Sequence, residues 1–197
     1  MPDTLEDLQA RLSALETRIE QEWEARRAAM HYRIERGRVI FEDNVRAAHR
    51  RARVRLWAFL RRTNLLVVLT APVIYAGIVP FVLLDLFVSG YQAICFPVYR
   101  IQKVRRRDHI VFDRQYLAYL NALQKLNCLY CAYGNGVISY AREIAGRTEK
   151  YWCPIKHASR VKGTHRHYCD FCDYGDAEGF CKGQEKLRKE LRHIKDA

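Results

Sequence analysis

The sequence predicts an all-α membrane protein: an N-terminal helical arm, a bent transmembrane or re-entrant hairpin, and a small helical Cys/His metal-binding domain. Three observations predict it. An apolar run from Asn64 to Tyr99 carries one charged residue, Asp85. Basic clusters flank that run on both sides. Seven cysteines, most of them in C-x-x-C spacing, fall within or after it. The expected organisation is an arm over 1–62, a membrane hairpin over 64–99, a Cys/His domain over 108–182 and a charged helix or tail over 183–197.

The arm comes first. Leu5, Leu8, Leu12, Leu15 and Ile19 follow the 3-4-3-4 spacing of a coiled-coil seam, and Trp23 extends it by one step, so residues 5–23 are candidates for a homodimer contact. The competing reading is a helix packed on its own chain. Residues 25–62 carry twelve arginines against three acids. With Val45, Val54, Trp57 and Phe59 near its membrane end, FEDNVRAAHRRARVRLWAFLRR reads as a continuing juxtamembrane helix that touches anionic lipid headgroups, where each arginine contributes about 1 kcal/mol. The formal net charge of +12 alone permits nucleic-acid binding. No aromatic-interleaved basic motif accompanies it, and the placement of charge disfavours that partner.

The apolar run follows. About 20 residues cross a hydrocarbon core of roughly 30 Å, so the run is long for one span and short for two. Arg50, Arg51, Arg53, Arg55, Arg61 and Arg62 precede it, and Arg100, Lys103, Arg105, Arg106 and Arg107 follow it. Positive flanks favour the cytoplasmic face. A hairpin broken near Gly77–Pro80, with both termini cytoplasmic, therefore fits better than one crossing. Pro72 and Pro80 remove backbone donors and suit a bend. Asp85 is expected to be protonated or hydrogen-bonded where helices join, the alternative being a membrane-facing site. The start, MPDTLEDLQA, has no basic region leading into an apolar one, so the run itself is the expected membrane address.

The Cys/His region comes last. HIVFDRQYLAYLNALQKLNC shows helical spacing and delivers Cys128 and Cys131 to an expected turn at Gly134 and Gly136. VISYAREIAGRTEKYW predicts a second helix, with Val137, Ala141, Ile144 and Thr148 on one stripe. In CPIKH, proline after Cys153 suits a helix start, with His157 one turn later. Zinc takes four soft or borderline ligands in a tetrahedron, often as two close pairs. Cys128, Cys131, Cys153 and His157 meet that demand, with 21 residues between the pairs. HRHYCDFCDYGDAEGFC adds Cys169 and Cys172, with His165, His167 and Cys181 nearby. Two arrangements stay open: one site from the first four residues, with the later group a second site or none, or an all-cysteine site from Cys128, Cys131, Cys169 and Cys172. The bland reading of either pair is two small packed side chains; a thioredoxin-like dithiol lacks its βαβ surroundings. Cys95 reads as a core or interfacial thiol.

LTAPVIY, PFVLLDLFVSGYQAICFPVY, NCLYCAYGNG, EKYWCPIKHA and DYGDAE together resemble a family of uncharacterised integral membrane proteins of proteobacteria, over roughly residues 65–180. The resemblance implies a membrane location and the ligands Cys128, Cys131, Cys153 and His157. The CDFC of residues 169–172 departs from it.

Three functional classes follow. The first is a membrane-anchored structural or interaction module with structural zinc and an unidentified protein partner. The second is an iron electron-transfer centre, with Tyr130, Tyr133, Tyr151 and Trp152 around the metal. The third is a surface enzyme using a metal-bound water or Asp85, for which no nucleophile–base pair or phosphate loop is found.

Overall fold

The computed structural model describes residues 5–35 and 38–194. It is mostly helical with one long apolar helix. The chain forms two compact units, one comprising residues up to Arg62 with Asp113–Lys125, the other Thr63–Phe112 with Leu126 onward.

In the first unit, α1 runs over Leu5–Ala29. Leu12, Leu15, Ile19 and Trp23 all stand exposed along it. The side chains of Leu5 and Leu8, which complete the expected seam, lie outside the described residues. The all-α expectation needs a correction here. Tyr32–Glu35 (β1) and Arg38–Phe41 (β2) form an antiparallel pair in which Tyr32 faces Phe41. Alternating Tyr, Ile, Val and Phe favour a pleated ribbon over a helix at this point. Phe41 then packs edge-on against His49, and His49 against Tyr119. The expected continuous juxtamembrane helix is two pieces, α2 over Asp43–Arg51 and α3 over Leu56–Arg62.

In the second unit, α4 spans Leu65–Ala76 and α5 spans Ile78–Tyr99. Asn64 caps α4 by accepting from Leu66 N at 3.0 Å, the usual role of an asparagine at this position. The hairpin expected at Gly77 is not made. Gly77 keeps right-handed helical angles, φ −58° and ψ −14°, so the chain bends without reversing. Leu65–Tyr99 is in effect one 35-residue helix, about 52 Å long at 1.5 Å per residue. It ends where Arg100 turns left-handed (φ 57°) and Ile101 N donates to Phe96 O at 2.8 Å. This is the Schellman pattern, and the buried Ile101 makes its apolar contact.

The return segment holds a four-residue turn of helix, α6, at Arg106–His109. The helix expected over 109–128 starts later. Asn121 and Gln124 form a reciprocal cap, each side chain accepting from the other's backbone N–H at 2.9 and 3.0 Å, and α7 runs from Ala122 to Trp152. Gly134 and Gly136 do not end it. They serve close approach instead: a Cβ on Gly134 would lie 2.8 Å from the Phe81 ring, and one on Gly136 would lie 2.8 Å from His109 O.

After α7 the chain is extended. Cys153 is an exit, not a helix start, its N–H donating to Glu149 O. Ile155 forms a parallel bridge with Cys172. The last helix, α8, covers Ala177–Glu190, beginning before the expected boundary at 183, with Asp176 as its cap. The apolar core joins Val88 and Phe96 of α5, Ile101 and Val104 of the return segment, Tyr140 and Ile144 of α7, and Leu191.

Candidate functional site

The continuity of α7 decides where the thiols go. Cys131 and Cys153 are 22 residues apart with unbroken helix between them up to Trp152, which separates them by about 33 Å along the axis. Cys128, Cys131, Cys153 and His157 therefore do not meet, and an all-cysteine site from Cys128, Cys131, Cys169 and Cys172 is stretched in the same way. Among the described residues, no group of three or more His, Cys, Asp or Glu side chains is placed to hold a metal ion.

Cys172 N donates to Pro154 O at 2.9 Å, and Lys156 N donates to Cys172 O at 2.8 Å, so CPIKH and CDFC are stitched together by backbone. His157 N donates to the Tyr168 hydroxyl at 2.7 Å. Cys131, Cys153, Cys169 and Cys181 are exposed, and Cys95, Cys128 and Cys172 half-buried. All seven are free thiols.

What the fold does gather is charge. Glu143, on the covered face of α7, takes three donors on one oxygen, Oε1: Arg147 Nε at 2.8 Å, Arg166 at 2.7 Å and His167 Nε2 at 3.0 Å. Burial alone pushes this carboxyl up, but the bonds from His167 and Arg147 outweigh it and hold the group well below the usual carboxylate range. Arg147 is fully buried and also donates to Gln102 O at 2.7 Å. One turn on, Lys150 Nζ sits between Asp170 at 2.8 Å and Glu190 at 2.9 Å. Burial depresses its ammonium, and the bonds to those carboxylates more than restore it, so its pKa is raised. His165 Nε2 donates to Glu149 at 2.9 Å, while its buried Nδ1 has no partner among the described residues. The network ties α7 to the return segment, to the 165–170 turn and to α8.

A second constellation lies on α5. Asp85 accepts from Arg106 Nη2 at 2.6 Å and Nε at 3.0 Å, and from the Tyr133 hydroxyl at 3.0 Å, with Ser89 more distant at 3.4 Å. The hydrogen-bonded, helix-joining expectation for Asp85 is what the geometry shows. Further along, Gln92 bonds Val104 in both directions and meets the Tyr140 hydroxyl. Near the bend, Tyr130 donates to Ile74 O at 2.6 Å, and Tyr75 bonds Asn127. Residues of α7 and of the return segment together thus satisfy the polar groups of the apolar helix from Ile74 to Gln92.

Sequence reasoning missed Glu143, Arg147 and Lys150. Their i, i+4, i+7 spacing beside Ile144 places them on one covered stripe. The available signal was Gly146, which leaves room for the His165 ring: a Cβ there would lie 2.9 Å from it. Arg106 was seen only as one member of a basic flank.

Comparison with family models, curated proteins and solved structures gives no match.

Proposed function

We propose that this chain is a membrane-anchored interaction module of the bacterial inner membrane, in which α4 and α5 are the anchor and the helical unit folded on them presents a cytoplasm-facing protein surface. One observation carries the reading: α5 is inside out for water. Its polar residues Asp85 and Gln92 are each 7% exposed, while Phe87, Ile94 and Val98 are 70%, 72% and 73% exposed. Water would favour the opposite partition, by about 1.5–3 kcal/mol for each large apolar side chain. Lipid favours this one.

The buried ion pairs supply the organisation that a structural zinc was expected to give. The aromatic residues expected around an iron centre are engaged elsewhere: Tyr130 with Ile74, Tyr133 with Asp85, and Tyr151 and Trp152 with Tyr99. That leaves the electron-transfer alternative without a distinguishing feature. The exposed Leu12, Leu15, Ile19 and Trp23 stripe of α1 is the surface on which a second copy of the chain would pair.

Membrane fractionation tests the anchor. The full chain should remain with the membrane through high salt and alkaline carbonate, and Phe87→Asp with Ile94→Asp should release a measurable share of it. A wild-type chain that is monodisperse in buffer without detergent defeats the proposal.

A further inference from the structure

Resting on that pairing surface and on the anchor, we infer that α1 joins two copies of this chain as a parallel, in-register coiled coil, with the charges beside its seam fixing the direction. The seam comes first. Leu12, Leu15 and Ile19 occupy the alternating a and d positions of a heptad, a register that the sequence carries back through Leu8 and Leu5. All three are more than half exposed, and α1 runs unbroken beneath them. Ile19 at an a position after Leu15 at d is a combination that favours two strands.

The surface is shaped to match. A groove on α1 is lined by Leu15, Arg18, Ile19, Glu22, Trp23 and Arg26. In a coiled coil each knob enters a diamond of four residues on the facing helix, spaced i, i+3, i+4 and i+7. Leu15, Arg18, Ile19 and Glu22 make one such diamond, and Ile19, Glu22, Trp23 and Arg26 make the next, so the groove is two successive holes that share an edge. Ile19 of the second copy enters the first.

Charge sets the direction. Arg11 and Arg18 fall at g and Glu16 at e, flanking the seam, and all three are exposed. When two strands run the same way, g faces the e position of the partner's next heptad, so Arg11 of each copy meets Glu16 of the other on both sides of the seam. Arg18 meets Trp23 in the same manner, a cation against an aromatic ring. When the strands run opposite ways, g faces g, and Arg11 falls opposite Arg18 on both sides. The wild-type charges thus favour one direction and penalise the other. Glu22 and Arg26, at the next d and a positions, end the apolar seam, which leaves residues 5–19 as the paired length. A seam this short is weak between free helices, and confinement to one membrane surface supplies the effective concentration it lacks.

Charge exchange between two tagged copies tests this. Full-length chains carrying different tags are co-expressed and extracted in mild detergent at low salt, and the share of one copy captured with the other is measured. Wild-type copies should co-purify. Arg11→Glu sets acid against Glu16 in the parallel pair and should lower capture roughly tenfold, since two exposed pairs turn from attraction to repulsion at once. Glu16→Arg should do the same. Mixing an Arg11→Glu copy with a Glu16→Arg copy restores two opposite-charge pairs, so capture should return to the wild-type level, a rescue that unfolding of α1 would not give. The antiparallel pair demands the opposite sign, because Arg11→Glu then relieves repulsion from Arg18 and raises capture. That result overturns the inference and leaves the pairing surface standing. Capture unchanged by either variant, or losses that the mixture fails to rescue, overturns it as well. Wild-type copies that never co-purify remove the pairing surface and the inference together, while carbonate extraction reads the anchor separately.

Discussion

Asp85 and Glu143 are both buried acids held by arginine, and their surroundings differ in an instructive way. Asp85 sits on the apolar helix with a partner whose side chain is 47% exposed, so Arg106 can reach water or headgroups. Glu143 sits under the helical unit with Arg147 wholly buried and His167 nearly so. The first is a pin at an edge; the second is the hub of a closed network. A buried ion pair adds little net stability over a well-packed apolar pair, but removing one member leaves an unpaired buried charge. The two acids should therefore fail by different amounts.

The largest effect is expected at the hub. Glu143→Ala takes from buried Arg147 and His167 the carboxylate they share and should cost about 3–5 kcal/mol in unfolding of the full chain in mild detergent. A loss no greater than that of a surface substitution would show the network to be ornamental. The pH dependence sharpens the point. Because the Glu143 carboxyl is depressed in the fold from an ordinary value of 4.5, its contribution is full above pH 4.5 and is lost as pH falls through the lower folded value. Lys150, raised above 10.5, contributes fully below that pH and loses its contribution as pH rises through the folded value. Unfolding measured against pH should show an acid limb that Glu143→Gln flattens.

A smaller effect is expected at the pin. Asp85→Asn keeps the shape and loses the charge-assisted bonds, which cost about 1.5–3 kcal/mol when broken. Since Arg106 is half-exposed, the loss should fall at the low end and below that of Glu143→Ala. Equal losses would erase the distinction between pin and hub. The smallest effect belongs to the thiols. Cys131→Ser and Cys153→Ser alter exposed side chains, one within α7 and the other just past its C-terminal end. Each should shift stability by no more than about 0.5 kcal/mol. Coupled losses of several kcal/mol, accompanied by loss of bound zinc, would restore the single four-ligand site that the spacing suggested.

The long apolar helix, its basic flanks and a satisfied Asp85 were legible in the sequence because composition and length report them directly. The bend at Gly77 was legible too, but its outcome was not: glycine and nearby prolines permit a reversal without requiring one, and the Tyr130 and Asn127 contacts to this region come from 56 and 52 residues downstream. The metal expectation misread two glycines. Gly134 and Gly136 looked like the end of a helix, whereas the neighbouring Phe81 ring and His109 carbonyl need their missing Cβ atoms for packing. With that turn gone, the thiol pairs separate. The charges on α7 were illegible for a related reason: their partners Arg166, His167 and Asp170 lie in a segment with no periodic pattern to announce the contact, and Glu190 lies 40 residues beyond Lys150.

The central claim is that the exposed stripe of α5 meets acyl chains while the opposite side of the unit meets water. Photocrosslinking from a benzophenone amino acid placed singly at Ile94, Val98 or Tyr174 of the full chain in native membranes tests it most directly. Tyr174, as exposed as Ile94 but in the polar segment just before α8, is the control. The account predicts lipid adducts from Ile94 and Val98 and none from Tyr174. Lipid adducts absent from Ile94 and Val98, or equally abundant from all three, would contradict it.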